Sequence, residues 1–576
     1  MNRRLDGPRR GLMMLAIALG PTLAYAQVDI SGEWASRFTW DYLERLPGPE
    51  LGDYLGLPIN EAARWKANSW EASAQTIPER QCIPHGADYL FSRAAFPMRI
   101  WAEEDPATQK IIAYHIRAYA WSVERTIWMD GRPHPSKYAR HTWQGFSTGV
   151  WTGAGLTVTT THLKLNYLRR NGVPRSDEAT LTEHWVRHGN YLTLLDYIDD
   201  PVYLTEPLMR TSGYVLDPQQ QLEPFPCEPV EEVVRPEGLV PHHLPGTNTD
   251  IQEFPKKYGL SPEVAMGGAA TMYPGGVPKS IAFKTAATES KPEGLEILPV
   301  QKNIYMLAGD GGNITLQAGK DGVLLVDTGG AGLSSAALEA IRKFTSKPIH
   351  YILNTRFAPD HTGGNEAFGK AGNTIMGGDV ADDIRGLDKG AAILAHQRVM
   401  DRMSAPEAKQ PFGALPTDTY RSKQKDLYFN AEPVVLLHQP SAVSDGDSFV
   451  FFRGSDVIST GDVFVTTGYP EIDLERGGSI HGVIDALNRL IELTVPEALQ
   501  EGGTLVVPGH GRICDEADVV EYRDMVTIIR DRVQDMLRKG MTLEQVEATR
   551  PTQDYDPRYG DGSAFIETVY RSLKGK

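Results

Sequence analysis

Alternating side chains along the first 230 residues predict β-strands. In "TLTEHWVRHGNYLTLLDYIDD" two sets of side chains alternate, Leu181, Glu183, Trp185 and Arg187 with Thr182, His184 and Val186. His188-Gly189-Asn190 then supplies a turn, which predicts a β-hairpin. The run from 110 to 135 is rich in β-branched and aromatic residues and ends at an Asp-Gly turn. Several such strands predict a barrel or sandwich over residues 27–232.

After residue 290, strand-like and helix-like segments interleave. "NIYMLAGDGGNITLQAG", "GVLLVDTGG" and "IHYILNTR" predict strands, "AALEAIRKFTS" predicts an amphipathic helix, and "DSFVFFRGSDVISTGDVF" predicts a hairpin. His396, in "AAILAHQRVM", is predicted on a helix. Apolar residues recur at spacings of three and four from Val519 to Met536, with Asp515 as the N-cap and Gly540 as the end of a long helix. The chain is therefore predicted to be α+β.

Residues 233–290 separate these two parts and are dense in proline and glycine, as in "RPEGLVPHHLPG" and "MGGAATMYPGGVPKS". This composition is typical of a linker or an extended strap. His242 and His243 are expected to be solvated loop residues, with adventitious metal binding as the alternative. The domain boundaries predicted are thus 27–232, 233–290 and 291–576.

The first 26 residues have the pattern of a secretory signal. Arginines precede the short apolar run "GLMMLAIALG", and "AYA" at 24–26 offers a small-x-small cleavage site. Arg9 and Arg10 also fit a twin-arginine signal. A membrane anchor is the alternative, but the apolar run is shorter than the roughly 18 residues needed to span a bilayer. We expect a periplasmic or secreted protein with no membrane association after the signal is removed.

Size, charge and cysteine content narrow the class of protein. A chain of 576 residues is too long for one hydrophobic core. Removal of residues 1–26 takes away four arginines and one aspartate, which makes the formal net charge of −16 still more negative. Such an acidic surface argues against nucleic acid and anionic membranes as partners.

Among the three cysteines, Cys82 and Cys227 can pair in an oxidising compartment and Cys514 is left over; three free thiols are the alternative.

Four short strings carry the chemistry of the C-terminal half: "VDTGG" with Asp327, "DHTGGN" with Asp360 and His361, "TGDVF" with Asp462, and "PGHGR" with His510. In this order and at these separations they resemble the metallo-β-lactamase superfamily over about 295–540. The resemblance implies an αββα sandwich with its metals at one edge of the two sheets.

The N-terminal part, through "VDISGEW", "IWMDGRPHP" and "STGVWTGAGLTVTTT", resembles a lipocalin-like β-barrel domain of exported bacterial proteins. Its aromatic stripes are either core or the lining of an apolar pocket.

Residue by residue, the resemblance places metal ligands at Asp360, His361, Asp462 and His510. Three further histidine positions of the superfamily fall on Arg356, Ala358 and Val443, none of which can bind a metal. All three belong to one metal position, so we predict a single divalent metal, zinc in the first place, with iron or manganese also compatible with these ligands. Arg356 is expected either to replace the charge of the missing metal or to hold an oxyanion, and an inert Arg–Asp network is the alternative.

The resulting hypothesis is an exported hydrolase that cleaves an ester, lactone or amide bond of a small apolar or aromatic molecule. Asp360 would hold or orient the attacking water, and Arg356 would polarise the carbonyl. Asp327, His438 and His481 are expected to brace a ligand side chain or to contact substrate. A lyase or isomerase that uses the same metal, and a catalytically inert small-molecule-binding protein, are the alternatives. The substrate and the oligomeric state are left open.

Overall fold

The computed structural model describes residues 29–37, 49–73, 76–91, 96–230, 236, 238–268, 271, 294–309, 311–374 and 390–575. The predicted signal peptide lies outside the described residues, as does much of the predicted linker. Within the described part, no helix combines the length and apolarity required to cross a membrane.

The N-terminal part forms a closed β-barrel, one of the two architectures that the alternating pattern predicts. Its strands follow one another around the barrel in the order β1-β11-β10-β9-β6-β5-β4-β3-β2. β4 and β5 pair in parallel, and the other neighbouring strands of the barrel pair antiparallel. The barrel strands are Gly32–Arg37 (β1), Met98–Glu104 (β2), Ile111–Ala118 (β3), Glu124–Trp128 (β4), Phe146–Thr152 (β5), Gly155–Thr161 (β6), Thr180–His188 (β9), Tyr191–Asp199 (β10) and Leu208–Leu216 (β11).

The predicted hairpin is confirmed as β9 and β10. His188 pairs with Tyr191, so the connection consists of Gly189 and Asn190, and Gly189 adopts a positive φ of 60° that glycine accepts without strain. Leu181, Glu183 and Trp185 are fully buried, because one face of the strand points into the barrel. The fully buried aromatic residues of the barrel core include Trp34, Tyr114, Trp185 and Tyr214.

Smaller elements surround the barrel. They are Glu61–Ser69 (α1), Ala87–Leu90 (α2) and the hairpin Asn166–Arg169 (β7) with Val173–Arg175 (β8). Cys82 and Cys227 form a disulfide, and Cys514 is a buried free thiol. The described portion of the predicted linker contains the short helices Glu253–Tyr258 (α3) and Pro262–Ala265 (α4). It packs on the N-terminal part, since the Tyr54 amide donates to the carbonyl of Ala265.

The C-terminal part contains two facing sheets. The first has the order β12-β13-β14-β15-β16-β17-β18, antiparallel up to β15 and parallel from β15 to β18. Its strands are Glu296–Gln301 (β12), Ile304–Ala308 (β13), Ile314–Gly319 (β14), Gly322–Val326 (β15), Ile349–Asn354 (β16), Ala392–His396 (β17) and Asp418–Tyr420 (β18). The second follows the order β19 to β24. Its strands are Gln424–Phe429 (β19), Glu432–Gln439 (β20), Asp447–Phe452 (β21), Val457–Ser459 (β22), Leu505–Val507 (β23) and Cys514–Asp515 (β24).

Helices cover the outer face of each sheet. They are Ser334–Phe344 (α5), Pro359–Thr362 (α6), Asn365–Ala371 (α7), Gln397–Met403 (α8), Ile480–Leu493 (α9), Glu516–Arg538 (α10), Leu543–Ala548 (α11), Asp556–Tyr559 (α12) and Ser563–Leu573 (α13). One core cluster joins the two sheets, for example Leu324 and Val326 with Val434 and Phe452. Others join the first sheet to α5 and α7, and the second to α9, α10 and α13. The α+β class with a C-terminal αββα sandwich is therefore confirmed.

The long C-terminal helix matches its sequence pattern. Asp515 is the N-cap of α10 and, with Asp518, forms a capping box. All of the apolar residues used to predict the helix are buried against the second sheet: Val519, Tyr522, Met525, Ile529, Val533 and Met536. Gly540 follows the end of the helix with a φ of 78°.

The prediction for His396 is wrong. This residue ends strand β17 and caps the N-terminus of α8. β17 lies between parallel neighbours and is almost entirely buried. A strand buried on both faces does not alternate in polarity, so its sequence resembles that of a buried helix.

Candidate metal centre

Asp360 and His361 are held by the loop that follows strand β16. The loop ends in the single helical turn α6, in which Ala358 is the N-cap and Pro359 takes the first position. Proline suits the first position of a helix because an N–H group there would have no acceptor within the helix, so its absence breaks no hydrogen bond. The amides of His361 and Thr362 both donate to the carbonyl of Ala358 at 3.0 Å. The turn thereby directs two adjacent side chains into the same site.

Asp462 and His510 follow the parallel strands β22 and β23 of the second sheet. Because parallel strands end at the same edge, the residues that follow them lie side by side. Gly509 makes their close approach possible, since a Cβ atom there would overlap the Oδ1 atom of Asp462. Its amide donates to the carbonyl of Gly461 at 2.9 Å.

The predicted ligand set meets at this edge. One donor atom from each of Asp360, His361, Asp462 and His510 lies within 4.8 Å of the others. The Oδ1 atom of Asp462 is 3.0 Å from His361 Nε2 and 3.5 Å from His510 Nε2. The Oδ2 atom of Asp360 is 3.0 Å from His510 Nε2. The side chains of Asp360 and His510 are 42% and 29% exposed, so solvent can reach the cluster from their side.

Asp327 braces His361 from behind. It follows strand β15, and its Oδ2 atom lies 2.8 Å from His361 Nδ1. The carboxylate also accepts hydrogen bonds from the amide and the hydroxyl of Thr355. It therefore acts as an acceptor toward the imidazole and fixes the Nδ1–H tautomer, which turns the Nε2 lone pair of neutral His361 toward the cluster.

The donor set fits a cation. His361 Nε2 and Asp462 Oδ1 are buried, and although they lie close together they are not aligned for a hydrogen bond. Buried polar atoms without a partner are costly unless an ion or water satisfies them. Two imidazoles and two carboxylates are ligands that zinc, iron and manganese accept. The cluster can thus hold one divalent metal.

A guanidinium fills the other side of Asp462. Arg356 Nη1 contacts the Oδ2 atom of Asp462, and Arg356 Nε lies 4.0 Å from the Oδ1 atom of Asp447. Arg356 is buried. Val443 is fully buried in the core formed with α9 and α10. The two oxygens of Asp462 are therefore divided between the donor cluster and a fixed positive charge.

Comparison with known proteins agrees with this geometry. The family model of the metallo-β-lactamase superfamily matches residues 307–510, a span that contains every member of the donor set. This stretch is a metallo-β-lactamase superfamily domain. It follows the N-terminal β domain in the chain.

Relatives of the metallo-β-lactamase domain include a sulfatase. A linear primary-alkylsulfatase of Pseudomonas sp. is 25% identical over 293 residues, which cover 44% of this chain and 54% of that enzyme. The chain thus spans about half the length of this relative. Among solved structures, a stereoselective inverting sec-alkylsulfatase of Pseudomonas sp. is 16% identical with a TM-score of 0.37, covering 48% of this chain and 50% of the other. A metallo-β-lactamase of Pontibacter korlensis is 14% identical with a TM-score of 0.31, covering 40% of this chain and 99% of the other.

The charges of the metallo-β-lactamase site shift the pKa values of its ligands. Burial alone would lower the pKa of His361, but the carboxylates of Asp462 and Asp327 outweigh burial and hold that pKa well above its usual value. Burial raises the pKa of Asp462, and His361 and Arg356 more than reverse this effect. The hydrogen bond from His510 lowers the pKa of Asp360. Without a metal, the two carboxylates therefore favour the protonated form of His361.

Asp447 is a charged residue at the metallo-β-lactamase site that the sequence reasoning missed. It is buried beside Arg356, and burial raises its pKa to about 6, although the guanidinium of Arg356 opposes that effect. Its Oδ2 atom accepts a hydrogen bond from the amide of Ser444. Its position in "AVSDGD", four residues after Val443, was the available signal.

The other predicted histidines lie outside the donor group that the described residues form. His438 stacks on His396 with ring centroids 3.6 Å apart, and its Nε2 atom is 2.9 Å from the carbonyl of Asp445. His481 is exposed near the start of α9. A contact of His438 or His481 with substrate stays a prediction.

Proposed function

We propose that this protein is a hydrolase whose metallo-β-lactamase domain uses a single divalent metal, zinc in the first place. The observation that carries the proposal is the donor cluster at the sheet edge, in which buried His361 Nε2 and Asp462 Oδ1 have no hydrogen-bond partner. Arg356 stands where a second metal would need ligands. A two-metal site would require donor atoms that Arg356, Ala358 and Val443 do not have.

The residues of the site would have separate roles in binding the metal and in orienting water. Asp360, His361, Asp462 and His510 would hold the metal, which supplies the Lewis acidity that makes water nucleophilic near neutral pH. Asp360 is half exposed and next to His510, so its carboxylate can accept a proton from the attacking water and orient it. Arg356 is buried against Asp462 and Asp447, which supports charge replacement as its role. Asp327 keeps His361 in the required tautomer.

The substrate class we propose is a small-molecule ester. The similarity to a linear primary-alkylsulfatase makes a sulfate ester of an alkyl chain the first compound to test. Carboxylic esters, lactones and amides of apolar or aromatic molecules form the second group. If the site instead catalyses a lyase or isomerase reaction, none of these compounds would be hydrolysed.

The decisive experiment is elemental analysis of the purified full-length protein after expression in metal-supplemented medium. The proposal predicts about one equivalent of zinc, iron or manganese, with loss of metal in His510→Ala. Lys343→Met is a matched control, because Lys343 pairs with Glu339 on the exposed face of α5. Less than about a tenth of an equivalent in the unaltered protein would overturn the proposal.

An inert binding protein is the second candidate, and one specific contact favours it. Asp462 meets Arg356 on one side and His361 on the other, so the cluster is neutralised by side chains alone. Under this candidate the barrel would bind a small molecule and the sandwich would act as scaffold. The metal analysis separates the two candidates, because the inert protein would contain no stoichiometric metal.

We also propose that the protein is exported. The signal-like residues 1–26 and the disulfide between Cys82 and Cys227 support this, since disulfides persist in oxidising compartments. Fractionation of bacterial cells that express the full chain tests it. A processed form in the periplasm or medium is expected, whereas an unprocessed cytoplasmic form would contradict export.

A further inference from the structure

The loop that carries His510 is in contact with the N-terminal domain. Two residues beyond His510, the buried side chain of Arg512 reaches Asp177, a residue between the hairpin β7–β8 and strand β9. The next amide, that of Ile513, donates to the carbonyl of Tyr138 at 2.9 Å. The barrel domain thus touches the chain directly after a proposed metal ligand.

Asp177 holds two arginines of the C-terminal part at once. Its Oδ2 atom lies 3.2 Å from Arg512 Nη2. Arg558, which belongs to α12, donates to Oδ1 at 2.7 Å and to Oδ2 at 3.0 Å. Arg512 also donates to Asp518 in the first turn of α10. Arg512 and Arg558 therefore share a counter-charge from the other domain.

The remaining contacts of this loop come from its own domain. Asn313 Nδ2 donates to the carbonyls of Pro508 and Gly511 at 3.0 and 3.1 Å, and the Asn313 amide donates to the carbonyl of Gly509 at 2.8 Å. These bonds hold the turn from the side of the first sheet. Asp177, through the side chain of Arg512, holds it from the barrel domain. Within the same domain the Thr466 amide also donates to the carbonyl of His510 at 3.1 Å. His510 is thus placed by its own domain and, through Arg512, by the barrel domain.

We propose that Asp177 is a positioning residue, which acts through Arg512 to set the place of His510 in the metal site. The inference rests on the proposed metal-binding function and deepens it, since it makes the barrel domain part of the site's support. If Asp177 loses its charge, Arg512 and Arg558 lose their shared counter-charge and are left with Asp518 and Glu178, respectively. Arg512 then has to shift toward Asp518 or water, and the Gly511–Arg512 backbone shifts with it. Partners that orient a metal ligand typically contribute about ten- to a hundredfold in metal affinity.

The test compares Asp177→Asn with Glu521→Gln in the full-length protein. Glu521 of α10 forms another interdomain ion pair, with Lys66 of α1 at 2.7 Å, but it lies outside the His510 loop. The first measurement is hydrogen–deuterium exchange of residues 508–514 in the metal-free proteins. The second is zinc affinity by chelator competition, together with the absorption spectrum of the cobalt-substituted protein.

Asp177→Asn is expected to speed exchange in 508–514 about tenfold and to weaken zinc binding at least about tenfold, with an altered cobalt spectrum. Glu521→Gln should lower the melting temperature without either effect. Unchanged exchange and affinity in Asp177→Asn, or equal changes in both variants, would overturn the inference. If Asp177→Asn does not fold, Arg512→Lys is judged by the same two criteria. Absence of zinc binding in the unaltered protein would refute the proposed function, while the exchange data would still decide whether Asp177 positions the loop.

Discussion

The guanidinium of Arg356 contacts one carboxylate oxygen of Asp462, and the other oxygen of the same carboxylate faces the histidines of the donor cluster. One aspartate is thus shared between a permanent cation and a site fit for a metal. Arginine keeps its charge at every pH at which the protein is folded. This arrangement explains how the sandwich tolerates several carboxylates at one buried edge.

Replacement of Arg356 by methionine is expected to destabilise the metal-free protein by about 3 to 5 kcal/mol, because Asp462 and Asp447 would lose their buried counter-charge. Arg356→Lys should lose less, since it keeps the charge. Urea unfolding at pH 7 measures both changes. A methionine variant as stable as the unaltered protein would show that Arg356 does not balance these carboxylates.

Restored histidines should create a second metal position. Arg356→His with Ala358→His is expected to raise metal content above one equivalent if the loop keeps its path, because it supplies two imidazoles beside Asp462. The addition of Val443→His completes the set, although Val443 is fully buried in a packed core. Elemental analysis of both variants is the measurement. Metal content that stays at one equivalent in the triple variant would mean that the core around position 443 prevents coordination.

Asp327→Asn is expected to weaken zinc binding by about ten- to a hundredfold while the fold is retained. Asp327 has a φ of 61°, a left-handed conformation that asparagine also adopts. The amide oxygen can still accept the Nδ1–H bond, but the negative charge behind His361 is lost. Asp327→Ala serves as the comparison and should lose stability as well as affinity. Equal zinc affinity in Asp327→Asn and the unaltered protein would exclude a bracing role.

Zinc affinity is expected to increase with pH. In the metal-free protein the pKa of His361 is raised above its usual value by Asp462 and Asp327, so a proton must leave before Nε2 can bind the metal. Release of one proton corresponds to about a tenfold gain in affinity per pH unit below that pKa. Competition titrations at several pH values measure the slope. The same ion pairs stabilise the metal-free fold below the unfolded-state pKa of about 6.5, and this contribution is lost as pH rises through the folded-state pKa. An affinity independent of pH would contradict the protonated state assigned to His361.

The disulfide between Cys82 and Cys227 is expected to stabilise the N-terminal part by about 2 to 5 kcal/mol, since it closes a long loop with a sequence separation of 145. Thermal unfolding with and without reductant measures this contribution. The double variant Cys82→Ser/Cys227→Ser should unfold at the lower temperature under both conditions. Burial raises the pKa of Cys514, so this thiol should resist alkylation until the protein unfolds.

Local sequence patterns predicted the secondary structure correctly where one periodicity dominates. The hairpin β9–β10 and helix α10 follow from alternation and from three-four spacing, and both have turn or cap residues at their ends. Strand β17, with His396 at its end, was misread because a strand buried on both faces does not alternate. Asp447 was missed because its importance depends on contact with Arg356 and not on spacing.

The sequence, through its resemblance to the superfamily, predicted the four residues of the donor cluster and the departures from the superfamily pattern, because ligand chemistry depends on residue type. Only the tertiary structure decided that Arg356 lies against Asp462 and Asp447, and that the His510 loop contacts Asp177 of the barrel domain. These relationships join residues separated by about a hundred positions or more, such as Arg356 with Asp462 and Asp177 with Arg512. Their distances are set by how the sheets and domains pack, which short-range periodicity does not encode.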